Sequence, residues 1–203
     1  MTDLQVAGAV ELGVAVAPRD GELVSGDAAI AEQLAAGTLV AVVDGTGHGP
    51  RAARAAAAAA AAIRASRSED LVTIMAACHE ALRGTRGAAV TLALVGPELA
   101  WLGVGSVEGR VAGAAGAAPG ARDSLLLHSG TVGHDLPALN PSGVPLEHGD
   151  LVVLATDGVG RAFADALDPH GSAQDVAARI LATHRRPTDD ALVAVARYVE
   201  RLA

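Results

Sequence analysis

Four aspartates share one context in this sequence, and together they could do acid or metal chemistry. Each lies at the boundary between an apolar, strand-like run and a turn: Asp27 in "VSGDAA", Asp44 in "VVDGTGHG", Asp157 in "ATDGVG" and Asp189 in "PTDDALVAV". Because a sheet brings the ends of its strands together, we expect these carboxylates to converge. Converging carboxylates repel one another unless a hard cation lies between them, and oxygen ligands suit Mg²⁺ or Mn²⁺. The pattern therefore favours a metal site.

Each aspartate taken alone has a simpler interpretation as a turn residue. Asp-Gly is a common turn pair, because Asp hydrogen-bonds its own backbone and Gly accepts a positive φ. For a single Asp-Gly pair the turn is the better interpretation. Only the recurrence of an acid at the ends of several buried strands favours a ligand role.

The glycines after Asp44 allow two further interpretations. Gly45, Gly47 and Gly49 let the backbone approach a bound ion closely, so the carbonyl of Gly45 is a candidate ligand. The alternative is a phosphate-binding loop, since glycine-rich turns before helix N-termini bind anions. Neither of the two common nucleotide-binding glycine patterns is present, and no lysine is placed to contact a phosphate. Nucleotide binding is therefore the weaker alternative.

Periodicity and composition predict the elements that position these residues. "VAGAVELGVAVAP", "TLVAVVD" and "GDLVVLATDG" are typical of strands, the last two of strands covered on both faces. "PRAARAAAAAAAAIRAS" predicts a buried helix from Pro50 to about Ser66, because alanine is the strongest helix former and proline suits the first turn. "SEDLVTIMAACHEALR" predicts a second helix with Ser68 as its N-cap.

A series of strand candidates follows the second helix: "AAVTLALVG", "ELAWLGVGS", "GRVAGAA" and "SLLLHSG". Strands so close in sequence pair as antiparallel hairpins. A short helix near residues 160–166, a helix over about 172–184 and a last strand "ALVAVARYVE" complete the chain. This order predicts an α+β sandwich in which helices cover antiparallel sheets, formed by a single domain over residues 1–203.

Composition excludes several functional classes. Aromatic residues make up only 1% of the chain, so anchors for a large interface are few and we expect a monomer. A net charge of −8 without a cluster of basic residues argues against nucleic acid as a partner and favours a cation over an anion. Cys78 is the only cysteine, which excludes an intramolecular disulfide and a thiolate metal cage. Its apolar helical stripe predicts a core thiol.

The sequence gives no sign of export or of a membrane span. Its first residues lack the basic region and apolar block of a signal peptide. Arg51, Arg54 and Arg64 interrupt or flank the alanine tract, so no apolar stretch is long and uncharged enough to cross a bilayer. We therefore expect a soluble, cytoplasmic protein.

Three segments, in their order and spacing, carry a resemblance to a known family: "VVDGTGHGPRAARAA", "GDLVVLATDGVGRAF" and "PTDDALVAVARY". They resemble the PPM family of metal-dependent serine/threonine protein phosphatases, in its bacterial SpoIIE-type branch. Within that branch the short chain, "PRDGELVSGD" and "LGVGSVEG" are most similar to the RsbX-type stressosome phosphatases. The resemblance covers nearly the whole chain.

The resemblance implies a four-layer αββα sandwich, in which two antiparallel β-sheets are flanked by helices. It also implies two Mn²⁺ or Mg²⁺ ions at one end of the sandwich. By motif position, Asp44 would bridge the two ions, with the Gly45 carbonyl as a further ligand. Asp157 and Asp189 would hold one ion, and Asp27 would lie among the ligands or just behind them.

Three further residue assignments follow from the resemblance. The first aspartate of the "DD" pair is the expected ligand, so Asp190 is the lesser candidate. His48 is a candidate acid for the leaving serine oxygen. The arginine that clamps phosphate in many eukaryotic relatives has no assignable counterpart, so phosphate orientation would rest on the metals. His128 and His134 receive no role.

The implied reaction is hydrolysis of phosphoserine or phosphothreonine. Two cations lower the pKa of a bridging water, so that hydroxide is available for in-line attack and no protein nucleophile is needed. The implied substrates are phosphorylated STAS-domain proteins of the stressosome or anti-anti-sigma type, in a partner-switching pathway. The alternatives are a non-catalytic binding module with the same fold and a metal phosphohydrolase for small molecules.

Overall fold

The structure, a computed structural model, describes residues 10–117 and 120–199. Its ten strands are β1 (Val10–Ala17), β2 (Asp27–Gln33), β3 (Thr38–Gly45), β4 (Ala88–Val95), β5 (Glu98–Val104), β6 (Glu108–Ala112), β7 (Asp123–Ser124), β8 (Ser142–Pro145), β9 (Leu151–Ala155) and β10 (Ala191–Tyr198). Its helices are α1 (Gly49–Ala65), α2 (Leu71–Leu82), α3 (Ala173–His184) and a 3₁₀ helix (Arg161–Ala164). The beginning of the predicted first strand and the end of the predicted last one lie outside the described residues.

The strands form two five-stranded sheets, and every strand pairing in them is antiparallel. Sheet A has the order β1-β10-β9-β6-β7, and sheet B has the order β2-β3-β4-β5-β8. α1 and α2 pack on the outer face of sheet B, and α3 packs on the outer face of sheet A. The predicted α+β, αββα sandwich is confirmed. Among the described helices, none is long and apolar enough to cross a membrane.

Strand β3 shows how the layers meet and where its last side chains point. Ala41 and Val43 belong to the apolar cluster between sheet B and its helices, whereas Val40 and Val42 belong to the cluster between the two sheets. Because side chains alternate along a strand, Asp44 points to the same side as Val40 and Val42. The sequence of the strand therefore directs this carboxylate towards sheet A, at the end of the sandwich.

The alanine tract forms a helix that lies unusually close to the end of β3. Ala52, Ala55, Ala56, Ala59 and Ala60 are buried against sheet B. A Cβ atom on Gly45 would lie 2.3 Å from the Ala52 carbonyl oxygen, so only glycine fits there. Small side chains thus let α1 begin directly behind the functional loop.

The second helix begins later than the sequence predicts. Its N-cap is Asp70, whose carboxylate accepts hydrogen bonds from the backbone N–H groups of Val72 and Thr73. Ser68 instead accepts a hydrogen bond from the Asp70 N–H through its hydroxyl. The prediction of Ser68 as the cap is wrong, because a carboxylate two residues closer to the helix reaches two free N–H groups at once. Cys78 is fully buried, which confirms the core thiol.

The predicted strand "SLLLHSG" is mostly irregular. Only Ser124 pairs with sheet A as part of β7, after which the chain crosses to the end of β5, where His128 bridges Val104. Leu125 is buried between the sheets, while Leu126 is 80% exposed. Leu125 and Leu127 pack at the edge of the inter-sheet core instead of extending a sheet. The sequence prediction also omits β2 and β8.

Candidate catalytic cavity and metal centre

Asp44 and Asp27 face each other across the β2–β3 pairing. They are directly opposed in the antiparallel register, so both side chains lie on the inter-sheet face. The hydroxyl of Thr156, which follows β9 in sheet A, donates a hydrogen bond of 2.8 Å to Oδ2 of Asp27. Ser106 donates a hydrogen bond of 3.2 Å to Oδ2 of Asp44. The two carboxylates therefore stand where the two sheets meet.

An open cavity of about 500 Å³ lies over this end of the sandwich. It is lined by three of the predicted ligands, Asp44, Asp157 and Asp189. The other lining residues are Thr46, Gly47, Ala89, Gly105, Ser106, Gly130, Thr131 and Arg161. The strand ends of both sheets thus bring three of the four expected carboxylates to one cavity, while Asp27 lies outside its lining.

The electrostatics of the two inter-sheet carboxylates show that their charge is poorly compensated by the protein. Burial, and then the negative charge of Asp44, raise the pKa of Asp27 to about 8. Burial, and then the charge of Asp157, raise the pKa of Asp44 to about 7. The hydrogen bonds from Thr156 and Ser106 lower these pKa values only in part. A cation placed among these groups would favour their charged forms.

Four predicted residues lie outside the lining of this cavity: Asp27, Gly45, His48 and Asp190. Gly45 is buried at the end of β3, and its N–H donates to the Gly26 carbonyl over 3.1 Å. His48 occupies the N-cap position of α1, and its Nδ1 lies 2.8 Å from Oε1 of Glu22. The imidazole is 44% exposed. The Glu22 contact fixes its orientation, while the roles of Gly45 and His48 stay predictions.

Comparison with known proteins gives a consistent set of structural neighbours. No family model and no curated protein matches the chain. A chain from a study of the bacterial stressosome, as a modular system adapted to control secondary messenger signalling, is 31% identical, with a TM-score of 0.83, over 93% of this chain and 99% of that one. RsbX in complex with magnesium is 19% identical, with a TM-score of 0.80, over 98% of this chain and 100% of that one.

A third neighbour is the catalytic domain of the serine/threonine protein phosphatase PstP in complex with two manganese ions. It is 18% identical to this chain, with a TM-score of 0.69, and the match covers 94% of this chain and 99% of that one. The chain belongs to the PPM phosphatase family. The RsbX and PstP structures share the fold of this chain.

In this PPM-family chain, the Asp190 carboxylate stabilises the backbone between β1 and β2. It is 3% exposed, and its Oδ1 accepts a hydrogen bond of 2.8 Å from the Arg19 N–H. Its Oδ2 accepts another of 2.8 Å from the Gly26 N–H. Both oxygens therefore hold the segment between β1 and β2 against the start of β10, which supports its place as the lesser ligand candidate. The neighbouring Asp189 lines the cavity, and its Oδ1 accepts a hydrogen bond of 2.9 Å from the Asp190 N–H.

Arg161 and Ser106 are the residues that sequence reasoning missed. Arg161 lines the cavity, its side chain is 79% exposed, and its Nε lies 2.5 Å from Oε1 of Glu108. It stands four residues after Asp157, inside the "ATDGVGRAF" segment, so proximity to a ligand candidate was the available signal. Ser106 could not be found in this way, because it is distant from Asp44 in sequence. The turn between β5 and β6 places it next to Asp44 in the folded chain.

The donor set of this cavity fits hard divalent cations. In residues 10–117 and 120–199, no group of three or more His, Cys, Asp or Glu side chains is arranged to hold an ion by itself. Mg²⁺ does not require such a cage, because it keeps several waters and binds through one or two carboxylates plus a substrate phosphate. Asp44, Asp157 and Asp189 offer oxygen donors in an open cavity, where burial and the neighbouring charge of Asp157 raise the pKa of Asp44.

Proposed function

We propose that this protein is a metal-dependent protein serine/threonine phosphatase that acts on phosphorylated STAS-domain regulators of a stressosome or partner-switching pathway. The observation that carries the proposal is the cavity itself, where Asp44, Asp157 and Asp189 meet at the junction of the two sheets. The magnesium of RsbX and the two manganese ions of PstP support a metal requirement on this fold. The stressosome neighbour supports the class of pathway.

The proposed ligands divide into those that touch a cation and those that hold them. Asp44, Asp157 and Asp189, with the Gly45 carbonyl, would hold two Mn²⁺ or Mg²⁺ ions. Asp27 would lie just behind them, fixed by Thr156. When bound, such ions lower the pKa of water for attack on phosphorus and neutralise phosphoryl oxygens.

The chain's own polar groups complete the site. Ser106 restricts the rotation of the Asp44 carboxylate through its hydrogen bond. The guanidinium of Arg161 stands at the cavity wall, held by Glu108, where its fork of N–H donors suits a phosphoryl group. His48, oriented by Glu22, is our candidate for protonating the leaving serine or threonine oxygen. Arg161 thereby supplies the phosphate contact that the sequence alone did not identify.

The proposal is tested by release of phosphate from a phosphorylated STAS protein in the presence of Mn²⁺. We expect Asp44→Asn to lower kcat/KM by about 10³-fold, because it would remove a charged ligand of the proposed metal ions. Asp165→Asn, at an exposed aspartate after the 3₁₀ helix, is the matched control and keeps wild-type activity. Equal activity of wild type and Asp44→Asn would contradict the mechanism.

A further inference from the structure

A second cavity of about 470 Å³ lies next to the catalytic one, and three of its lining residues are arginines. Arg51 and Arg54 reach it from the first turns of α1, and Arg86 reaches it from the turn between α2 and β4. Its remaining lining residues are Ala55, Gly84 and Thr85. Among the residues that the structure describes, no carboxylate lines this cavity, so in a chain of net charge −8 it is a local concentration of positive charge.

These arginines differ from most others in the protein. Eight other arginines form ion pairs with carboxylates: Arg64, Arg83, Arg110, Arg122, Arg161, Arg179, Arg185 and Arg197. Within the part of the chain that the structure describes, Arg51, Arg54 and Arg86 have no ion-pair or hydrogen-bond partner for their side chains. Their donors are exposed and available to a ligand.

The two cavities share the wall formed by Gly47. Gly47 lines the catalytic cavity, and a Cβ atom placed on it would lie 2.9 Å from Nη1 of Arg86. Its φ of +94° also favours glycine. The neighbouring Thr46 N–H donates to the Gly87 carbonyl over 3.0 Å, which ties the functional loop to the turn that carries Arg86. A polypeptide could therefore occupy both cavities at once.

We propose that this arginine cavity binds acidic side chains that flank the phosphorylated residue of the substrate protein. Arg51 and Arg54 are three residues apart on one face of a helix whose opposite face is fixed by buried alanines. Guanidinium groups bind carboxylates through two parallel hydrogen bonds. All three arginines are exposed on an open surface, which suits a polypeptide segment better than an enclosed small anion. This substrate preference rests on the proposed phosphatase function.

The test compares two phosphoserine peptides that differ only in carrying glutamates or glutamines around the phosphoserine. We expect wild-type protein with Mn²⁺ to favour the acidic peptide about tenfold in kcat/KM at low salt, from a few exposed ion pairs of modest energy each. The preference should shrink at high salt. In the double variant Arg54→Gln, Arg86→Gln the ratio should approach one. Arg67→Gln, an exposed arginine outside the cavity, is the control and retains the preference.

A binding measurement separates this proposal from the phosphatase proposal. Fluorescence anisotropy with the unphosphorylated acidic peptide, in the presence of a chelator, requires no catalysis. We expect wild type and Arg67→Gln to bind it about tenfold more tightly than the double variant, with the same thermal unfolding midpoint in all three. Equal peptide binding by wild type and the double variant would overturn the proposed docking. So would a wild-type protein that binds inorganic phosphate but does not bind the acidic peptide. Hydrolysis of both peptides at equal rates would overturn it while preserving the phosphatase.

Discussion

Aspartates at two kinds of position in this protein have pKa values that are shifted in opposite directions. Asp70 and Asp175 lie in the N-terminal caps of α2 and α3, where hydrogen bonds from Thr73 and Ser172 hold their pKa values below the ordinary range. Asp27 and Asp44 lie between the sheets, where burial and neighbouring carboxylates raise their pKa values to about 8 and 7. The first pair is stabilised by hydrogen bonds within the fold, whereas hydrogen bonds compensate the charges of the second pair only in part.

The difference teaches where to look for function in a chain rich in aspartate. At the helix caps, free backbone N–H groups satisfy the carboxylates, so these residues contribute to folding alone. At the end of the sandwich, Asp27 and Asp44 each accept a hydrogen bond from one hydroxyl group of the described residues. Asp190 resembles the helix-cap aspartates, because two backbone N–H groups donate hydrogen bonds to its carboxylate although it lies beside the site.

After Asp44, the largest expected effect comes from the other two carboxylates that line the cavity, Asp157 and Asp189. We expect Asp157→Asn and Asp189→Asn each to lower Mn²⁺-dependent phosphate release by about 10²- to 10³-fold, because each would lose a charged metal ligand. Asp190→Asn should act mainly on stability, because its oxygens hold the segment between β1 and β2. Steady-state kinetics and thermal unfolding of the three variants check this division. Wild-type kinetics in Asp157→Asn and Asp189→Asn would place the metal elsewhere.

The next effect is a dependence of stability on pH in the metal-free protein. Between the unfolded pKa near 3.8 and the folded values near 7 to 8, the folded state binds more protons than the unfolded state. The free energy of unfolding should therefore fall as pH rises through this window, by on the order of a few kcal/mol. Urea unfolding with a chelator at pH 5.5 and pH 8 measures this. Asp27→Asn should reduce the difference, and a stability that rises with pH in wild type would contradict the electrostatic account.

Arg161 should have a smaller effect, on substrate binding. We expect Arg161→Gln to raise KM for a phosphorylated substrate about tenfold, because a guanidinium that contacts the phosphoryl group is replaced by a neutral amide. Arg179→Gln changes the charge equally at a site far from the cavity, where Arg179 pairs with Asp168. Michaelis–Menten kinetics of both variants measure the change in KM. An unchanged KM in Arg161→Gln would remove this arginine from the site.

The smallest effect is expected at a helix cap. Asp70→Ala should lower the free energy of unfolding by about 1 kcal/mol, because two N–H groups at the start of α2 lose their partner. It should leave metal affinity and kcat/KM unchanged. Chemical unfolding and Mn²⁺ titration of this variant, beside Asp165→Ala as an exposed control, measure both quantities. A loss of metal affinity in Asp70→Ala would contradict the assignment of a purely structural role to the helix-cap aspartates.

Much of the fold and of the site could be predicted from local patterns. The continuous apolar run before Asp44 predicts a strand covered on both faces, and its alternation sends Asp44 towards the other sheet. The alanine tract predicts α1. Strand β2 escaped prediction because "DAAIAEQ" carries only one large apolar side chain, Ile30, and its partner β3 decides its conformation.

The parts that could not be predicted depend on contacts between distant segments. Asp190 is satisfied by N–H groups of Arg19 and Gly26, more than 160 positions away in sequence, and no local pattern announces such a contact. The arginine cavity likewise combines α1 with the turn before β4. Scattered basic residues therefore gave no sign of a cluster, although the folded chain contains one.

The central claim is that Asp44 and its neighbouring carboxylates bind a metal ion. Calorimetric titration with Mn²⁺ at pH 6 and pH 8 tests it most directly. Wild type should bind Mn²⁺ more tightly at pH 8, because at pH 6 the ion must displace protons from Asp27 and Asp44. Asp44→Asn should lose most of the affinity. Absence of Mn²⁺ binding at millimolar metal, or equal affinity in wild type and Asp44→Asn, would contradict the account and favour a non-catalytic module.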